Sequence, residues 1–220
     1  MNDVLGHAIP SIRFASVQLA RIGEGFGLAS EVYRVTCTPA ATSDPSAPST
    51  PCTFVIKLWS TEGVAGTREV AFYREFGGDP GLRIPRAFHG ALDLDRARGV
   101  LVLEDIRDAT QGDCLDTLDV DRQAAIARMM ARFHARWWSD PRLREHSWLP
   151  SMRAYDRAPD WYSLRRRQFL ERCGEDLRPE IRPWLESAPA LISRSHELLA
   201  DVPDTLLHGD FHLDNVLFPP

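Results

Sequence analysis

The fold is decided by one stretch near the end of the printed chain, His208-Gly-Asp-Phe-His-Leu-Asp-Asn-Val-Leu-Phe218. Within it, Asp210 stands in a loop-like segment, and Asn215 follows five residues later, directly before a short apolar run that predicts a strand. The spacing is informative because both side chains must reach one reaction centre from one short loop. The rest of the sequence is therefore interpreted outward from this segment.

An aspartate and an asparagine at this spacing are typical of the catalytic loop of a kinase. In such a loop the aspartate orients and deprotonates an acceptor hydroxyl, and the asparagine binds a metal ion that bridges the nucleotide phosphates. A second interpretation stays open at this point, since His208, Asp210 and His212 alternate and could form the metal cluster of a hydrolase. That alternative leaves the motifs upstream of the loop unexplained.

Lys57 is the one lysine among the 26 basic residues of the chain, and it lies within the apolar run Phe54–Trp59. The alternation of a strand puts Val55, Lys57 and Trp59 on one side of the sheet. A lysine on a half-buried strand needs anionic partners, which Glu69 on the following helix, or nucleotide phosphates, would supply. The alternative is a lysine that extends its ammonium from an edge strand into water.

Three glycines at alternate positions, Gly23, Gly25 and Gly27, lie between two predicted strands. Closely spaced glycines let backbone N–H groups approach phosphate oxygens, although a plain hairpin turn with glycines fits the pattern as well. The segment is not a Walker A loop, because no Gly-Lys-Ser/Thr follows it and a strand rather than a helix comes next.

The first part of the chain is predicted to be rich in β-strands, because its apolar residues alternate or form compact runs. One helix is predicted within it at 66–76, where Glu69, Phe72, Tyr73 and Phe76 share a face. A proline-rich stretch at 39–51 predicts a mobile loop. The predicted strands are residues 14–22, 31–38, 53–59 and 99–106.

The second part of the chain is predicted to be helical, with apolar residues at helical spacing. We therefore expect an α+β fold with two lobes: a β-rich N-lobe over residues 1–107 and a partial helical C-lobe over residues 108–220, which ends just after the catalytic loop. The predicted helices of the second part are residues 121–138, 161–173 and 183–199.

Taken in order, these motifs resemble the aminoglycoside phosphotransferase and ecdysteroid-kinase-like (CHK-like) superfamily of small-molecule kinases. His-Gly-Asp at 208–210 takes the place of the His-Arg-Asp of protein kinases. The resemblance implies a protein-kinase-like two-lobed fold, ATP and Mg²⁺ as cofactors, and a hydroxyl group of a small molecule as the phosphate acceptor. The other matching segments are the glycine loop with its flanking strands (22–35), the lysine strand (54–59), the helix with the ion-pair glutamate (68–76), the hinge strand (100–106) and the long helix of the large lobe (131–138).

The resemblance also implies roles for single residues. Lys57 would contact the α- and β-phosphates of the nucleotide, and Glu69 would hold the lysine in place. Asp210 would be the catalytic base or would orient the acceptor hydroxyl, and His208 beside it would brace the loop. Asn215 would be a metal ligand.

Further residues are expected to contact the nucleotide. The backbone groups of Glu104 and Ile106 would face the adenine at the hinge, and the glycine loop would cover the phosphates. The expected phosphate-covering residues are Gly23, Gly25, Phe26, Gly27 and Ser30. Segments 68–76 and 135–138 resemble the ecdysteroid-kinase-like branch more than the antibiotic-resistance branch, so we expect an acceptor other than an aminoglycoside.

One departure from the family pattern concerns the metal site. Members place a second metal-binding aspartate on the strand after the asparagine, and the printed sequence ends at Pro220, before that strand. Asp214 would be a poor substitute, because it neighbours Asn215 and should point elsewhere. The sequence thus predicts a phosphotransferase, with a truncated kinase-like nucleotide-binding protein of little or no turnover as the alternative.

Composition narrows the class of protein further. A net charge of −5 and a pI near 5.8 argue against binding to nucleic acid. No signal peptide is visible, and no apolar stretch approaches the ~20 residues of a membrane span. We expect a cytoplasmic protein with reduced thiols, in which Cys37 and Cys52 could face each other across a hairpin.

Overall fold

Five strands form an antiparallel sheet in the first half of the chain: β1 Phe14–Ile22, β2 Glu31–Pro39, β3 Cys52–Ser60, β4 Ala87–Asp93 and β5 Arg98–Glu104. The structure is a computed structural model and describes residues 13–23, 30–41, 50–60, 65–93, 95–96, 98–150 and 158–219. The strands follow the spatial order β1-β2-β3-β5-β4, so β3 lies in the middle of the sheet.

The four strands predicted from alternation are present, and their bounds shift by one or two residues. Two features differ from the prediction. Strand β4 was not predicted, because its sequence, Ala-Phe-His-Gly-Ala-Leu-Asp, contains a glycine and little β-branched character. Strand β5 ends at Glu104 rather than at Ile106, so the predicted hinge residues lie at and just beyond the end of the strand.

The two faces of the sheet carry separate apolar clusters, because side chains alternate along each strand. The first cluster consists of Val35, Cys37, Phe54, Ile56 and Val102. The second cluster lies on the other face and consists of Trp59, Leu101 and Leu103 of the sheet together with Val70 of the following helix. Val55 packs against this second cluster, and Lys57 lies between Val55 and Trp59 on the same face, as the alternation predicted.

Helix α1 spans Ala65–Glu75 and covers the second face of the sheet. Its Val70 is fully buried, and Tyr73 packs beside it against the same cluster. Burial next to Glu69 raises the pKa of Tyr73 far above its usual value. The helix face that meets the sheet therefore includes Val70, which the sequence analysis did not place on it, beside Glu69 and Tyr73.

The second half of the chain is helical, as predicted. Helices α2, α3 and α4 span Val120–Arg136, Ala158–Cys173 and Ile181–Leu199. Two-residue strands β6 (Thr110–Gln111) and β7 (Leu217–Phe218) pair antiparallel and form a second small sheet. No helix in the described part of the chain is both long and apolar enough to cross a membrane.

The fold class predicted from the sequence, α+β with an antiparallel sheet followed by helices, is confirmed. By packing, the chain divides into two compact units, one of residues 1–133 and 208–220 and one of residues 134–207. The first unit thus contains the sheet, α1 and the catalytic-loop segment. This division follows packing alone, and the lobe boundary at residue 107 stays a prediction.

Cys37 and Cys52 are direct partners across strands β2 and β3, as the sequence suggested. Both are free thiols. Burial, with a smaller contribution from the neighbouring Cys52, raises the pKa of Cys37 to about 11, so this thiol stays protonated at neutral pH. Most of the predicted mobile loop between them, residues 42–49, lies outside the described residues.

Candidate active site

Lys57 and Glu69 form the ion pair expected from the sequence. The ammonium nitrogen of Lys57 lies 2.7 and 2.9 Å from the two carboxylate oxygens of Glu69. Since Lys57 stands on the middle strand β3, the alternative of a lysine on an edge strand is wrong. Its side chain remains 26% exposed, so a third N–H of the ammonium can still meet a ligand.

The catalytic-loop segment turns sharply at Gly209 and again at Leu213–Asn215. Gly209 has a φ of 82°, a left-handed conformation that costs residues with a Cβ about 1–2 kcal/mol. Residues Leu213–Asn215 form one turn of 3₁₀-helix, in which the N–H of Val216 donates to the carbonyl of Leu213 at 2.8 Å. These two turns direct Asp210 and Asn215 outward from one short loop.

Asp210 and Asn215 are joined directly. The Nδ2 of Asn215 donates to the backbone carbonyl of Asp210 at 2.9 Å and lies 3.0 Å from Nε2 of His212. A carbonyl can only accept, so this contact identifies Nδ2 and leaves Oδ1 of Asn215 as the free oxygen. The Asp210 side chain is 85% exposed. The loop therefore presents a carboxylate and an amide oxygen to solvent.

His208 contacts the same loop from its first position. Its ring packs edge-on against Phe211, with the centroids 5.8 Å apart. Crowding by neighbouring atoms lowers the pKa of His208, although the charges of Asp210 and Glu69 act in the opposite direction. The edge-on contact with Phe211 supports bracing of the loop by His208.

Residues 110–114, which we call the bracing segment, donate hydrogen bonds to the catalytic loop. The sequence analysis did not predict this role. The N–H of Gly112 donates to the carbonyl of Val216 at 2.9 Å, and Nε2 of Gln111 donates to the carbonyl of Asp214 at 2.7 Å. The N–H of Cys114 donates to Oδ1 of Asp214 at 2.7 Å. No local pattern marks these residues, because their partners lie about a hundred positions later in the chain.

Asp214 points away from Asn215, as expected. Its hydrogen bond from the Cys114 N–H is the largest of the causes that lower the pKa of Asp214, so the carboxylate stays ionised at neutral pH. It is engaged by the bracing segment rather than aimed beside Asp210. Asp214 is accordingly a structural anchor of the loop in this arrangement.

We expect Gly112→Ala to disturb the catalytic loop. A Cβ at this position would lie 2.5 Å from the backbone oxygen of Leu213, which belongs to the 3₁₀ turn. Overpacking of this kind costs about 1–3 kcal/mol, and each kcal/mol lowers the melting temperature of a chain of this size by about 2–4 °C. Thermal unfolding measures the shift.

Gly78→Ala is the matched control for this variant, because a Cβ at Gly78 would meet no atom within 4 Å. The control should unfold at nearly the parental temperature. Equal melting temperatures for Gly112→Ala and the parent would show that the bracing segment does not constrain the loop.

The predicted hinge residue Glu104, at the end of β5, is held by an ion pair and by hydrogen bonds. Glu104 accepts from Nη2 of Arg83 at 2.8 Å and from the backbone N–H of Arg86 at 2.9 Å, and the bond from Arg83 is the main reason that the pKa of Glu104 is lowered. The N–H of Glu104 donates to the carbonyl of Arg86 at 2.8 Å. The side chain and the backbone N–H of Glu104 are thus engaged within the protein.

Asp105, between the two predicted hinge residues, was also missed. Its side chain is only 2% exposed, and both its oxygens accept from Nε of Arg34, at 3.0 and 3.2 Å. An acidic residue buried to this degree needs such a partner. The pair ties the end of β5 to β2 and thereby fixes the backbone before Ile106.

The glycine loop can be followed only at its ends. Gly23, with a φ of 70°, ends the first strand of the hairpin, and Ser30 precedes the second. The expected phosphate-covering residues Gly25, Phe26 and Gly27 lie outside the described residues. Their role stays a prediction.

The alternative hydrolase cluster of His208, Asp210 and His212 is not formed among the described residues. The group of metal-ligating side chains found there consists of Cys114, His212 and Asp214 instead. Nδ1 of His212 lies 3.4 Å from both Sγ of Cys114 and Oδ2 of Asp214, and Nε2 lies 3.6 Å from Oδ2 of Asp210, so His208 is the member that is missing from the group. The hydrolase interpretation therefore loses the geometry that it requires.

Comparison with known proteins shows which family the sequence matches. The family model described as "Phosphotransferase enzyme family" matches residues 41–220. No curated protein matches the sequence. Eight chains of solved structures match, among them a crystal structure of spectinomycin phosphotransferase in complex with ADP and spectinomycin, with 14% identity and a TM-score of 0.39. That alignment covers 95% of the present chain and 61% of the solved one.

Proposed function

The chain belongs to the phosphotransferase enzyme family, and from this premise we propose that it transfers the γ-phosphate of ATP to a hydroxyl group of a small molecule. One observation carries the proposal: a single short loop presents the exposed carboxylate of Asp210 and the amide oxygen of Asn215, and the same compact unit contains the Lys57–Glu69 ion pair. Phosphoryl transfer consists mainly of positioning and charge stabilisation, which such a set of groups can supply.

Lys57 is proposed to bind the nucleotide phosphates. Glu69 engages the ammonium with both oxygens and thereby fixes its position on the middle strand. An ammonium held this way keeps a donor for an anionic oxygen and carries the compact charge that suits phosphate. Gly23 follows β1 and Ser30 precedes β2, so the segment that joins these two strands would cover the phosphates.

Asn215 is proposed to bind Mg²⁺. An amide oxygen suits this ion, because Mg²⁺ prefers oxygen ligands and is usually bound together with the phosphates of the substrate. The free Oδ1 of Asn215 is such an oxygen, since its Nδ2 is occupied by the carbonyl of Asp210. When bound, the ion would neutralise the charge of the phosphates.

Asp210 is proposed to orient the acceptor hydroxyl and to take its proton. Its carboxylate is exposed and can meet an incoming molecule, while its backbone carbonyl is held by Asn215. His208 would brace this position, since its ring packs edge-on against Phe211.

The adenine is proposed to lie at the end of β5. The backbone carbonyl of Glu104 and the backbone of Ile106 would face it, and the ion pair of Arg34 with the buried Asp105 would keep this stretch in place. We further propose a cytoplasmic location, where thiols stay reduced, since all four cysteines are free. The acceptor is proposed to be a small molecule other than an aminoglycoside.

The proposal is tested by measuring ADP formation from ATP and Mg²⁺ in the presence of amino-sugars, sterols and amino alcohols. We expect a rise in ADP formation that depends on one acceptor class, and a phosphorylated product by mass spectrometry. Nucleotide binding is measured separately by calorimetry. Binding of Mg²⁺–ATP without acceptor-dependent ADP would support the nucleotide site and contradict the transfer reaction.

A further inference from the structure

Three side chains of different chemistry meet on the outer side of the catalytic loop: the thiol of Cys114, the imidazole of His212 and the carboxylate of Asp214. One ligand atom from each lies within 4.8 Å of the others. We propose that this thiol–imidazole–carboxylate cluster is a Zn²⁺ site, separate from the Mg²⁺ site proposed for Asn215. Neither the family assignment nor the proposed reaction requires it.

The distances in the cluster suit a tetrahedral zinc ion. Typical zinc–ligand bond lengths place a sulfur and a nitrogen ligand about 3.5 Å apart, and a nitrogen and an oxygen ligand about 3.4 Å apart, when the angle at the metal is tetrahedral. In the structure, Sγ of Cys114 lies 3.4 Å from Nδ1 of His212, and Oδ2 of Asp214 lies 3.4 Å from the same nitrogen. These two distances therefore match those expected of zinc ligands.

The cluster is also held in place before any metal arrives. Oδ1 of Asp214 accepts the N–H of Cys114, which leaves Oδ2 turned toward His212. Gln111 holds the carbonyl of Asp214 at 2.7 Å, and Gly112 holds that of Val216 at 2.9 Å. Hydrogen bonds of this kind orient ligands and typically contribute 10–100-fold to metal affinity.

The chemistry of the cluster separates it from the Mg²⁺ site. A thiolate and an imidazole select zinc, whereas carboxylate and amide oxygens suit magnesium. Zinc would displace the proton of the Cys114 thiol, which passes to solvent. Cys114 is exposed, so the ion can enter and a water molecule can complete the coordination.

Zinc bound at the cluster would affect the proposed phosphotransfer site through His212. This part of the inference rests on the proposed function. In the structure Nε2 of His212 lies 3.0 Å from the side-chain Nδ2 of Asn215 and accepts from this amide group, because Nδ2 can only donate. Zinc on Nδ1 favours the tautomer with its proton on Nε2, which would oppose the Nδ2–H of Asn215. Asn215 would then leave its position, and with it the proposed Mg²⁺ ligand. Zinc is accordingly expected to inhibit.

Zinc binding is tested on the 220-residue chain with Co²⁺ as a spectroscopic probe and with Zn²⁺ in competition. We expect one metal ion per chain and a thiolate-to-cobalt charge-transfer band. Cys114→Ala should abolish the band and weaken Zn²⁺ binding at least about 100-fold, more than loss of a supporting hydrogen bond. Asp214→Asn, which keeps an acceptor for the Cys114 N–H, should weaken it as well.

Cys173→Ala is the matched control, because Cys173 is a second exposed free thiol and lies on α3, outside the cluster. It should bind metal like the parent. Absence of a thiolate–cobalt band in the parent, or equal Zn²⁺ affinities in Cys114→Ala and Cys173→Ala, would overturn the site.

The link to phosphotransfer has its own readout. In the parent, stoichiometric Zn²⁺ at saturating Mg²⁺ should lower ADP formation at least about fivefold, and Cys114→Ala should resist this effect. Full activity of the zinc-loaded parent would overturn the link while the Co²⁺ band still supports the site. Absence of ADP formation under all conditions would contradict the proposed function, and the metal titration would be unaffected by that result.

Discussion

Asp210→Asn is expected to abolish nearly all acceptor-dependent turnover while leaving the fold intact. An amide can neither take the proton of the acceptor hydroxyl nor hold it by a carboxylate hydrogen bond. Loss of a general base typically costs about 10²–10⁴-fold in rate. Because the Asp210 side chain is 85% exposed, its replacement should not disturb packing. Steady-state ADP formation with the identified acceptor measures the loss.

Asp176→Asn provides the control for this prediction, since Asp176 is also an exposed aspartate and lies between α3 and α4, outside both the loop and the bracing segment. The control should keep parental kcat and KM. Both variants should melt at the parental temperature. A rate for Asp210→Asn above half that of the parent would remove Asp210 from its catalytic role.

Lys57→Arg is expected to impair nucleotide use although it keeps the charge. One nitrogen of Lys57 contacts both oxygens of Glu69, which leaves a donor free for phosphate. A guanidinium is planar and longer, and its fork would engage the carboxylate with two nitrogens or displace it. We expect Mg²⁺–ATP affinity or kcat to fall at least about tenfold, as measured by calorimetry and initial rates.

Arg96→Lys is the matched control, a charge-conserving exchange in the exposed Asp93–Arg96 pair. It should change neither nucleotide affinity nor rate, because exposed ion pairs contribute little. Glu69→Gln should resemble Lys57→Arg if the pair acts as a unit. Parental affinity and rate in Lys57→Arg would contradict the hypothesis that nucleotide binding requires a lysine at this position.

Much of the fold could be predicted from local pattern, and the exceptions have physical causes. Strands β1, β2, β3 and β5 alternate or form compact apolar runs, so their residues identify them. Strand β4 does not show such a pattern, and it forms because β5 supplies its hydrogen bonds. Its Gly90 weakens the local strand pattern, yet the glycine suits the packed position, because a Cβ there would crowd Val70 and Leu101. Tertiary packing there decides what propensity leaves open.

The candidate site divides in the same way. The Lys57–Glu69 pair was predictable, because strand alternation and helical spacing turn both residues toward each other. The Arg34–Asp105 pair and the bracing segment were not, since 71 and about a hundred positions separate their members. The roles of the predicted residues in binding and transfer stay predictions until the variants above are measured.

Local patterns in the sequence identified the helices, four strands of the large sheet, the residues of the catalytic loop and the family resemblance, because each depends on neighbours a few positions apart. Which distant groups meet depends on tertiary packing. The pairing of β6 with β7 brings Cys114 within 3.4 Å of His212, although 98 positions separate them. Closing so long a loop leaves no periodic trace in the sequence, so the cluster beside the catalytic loop could be found only in three dimensions.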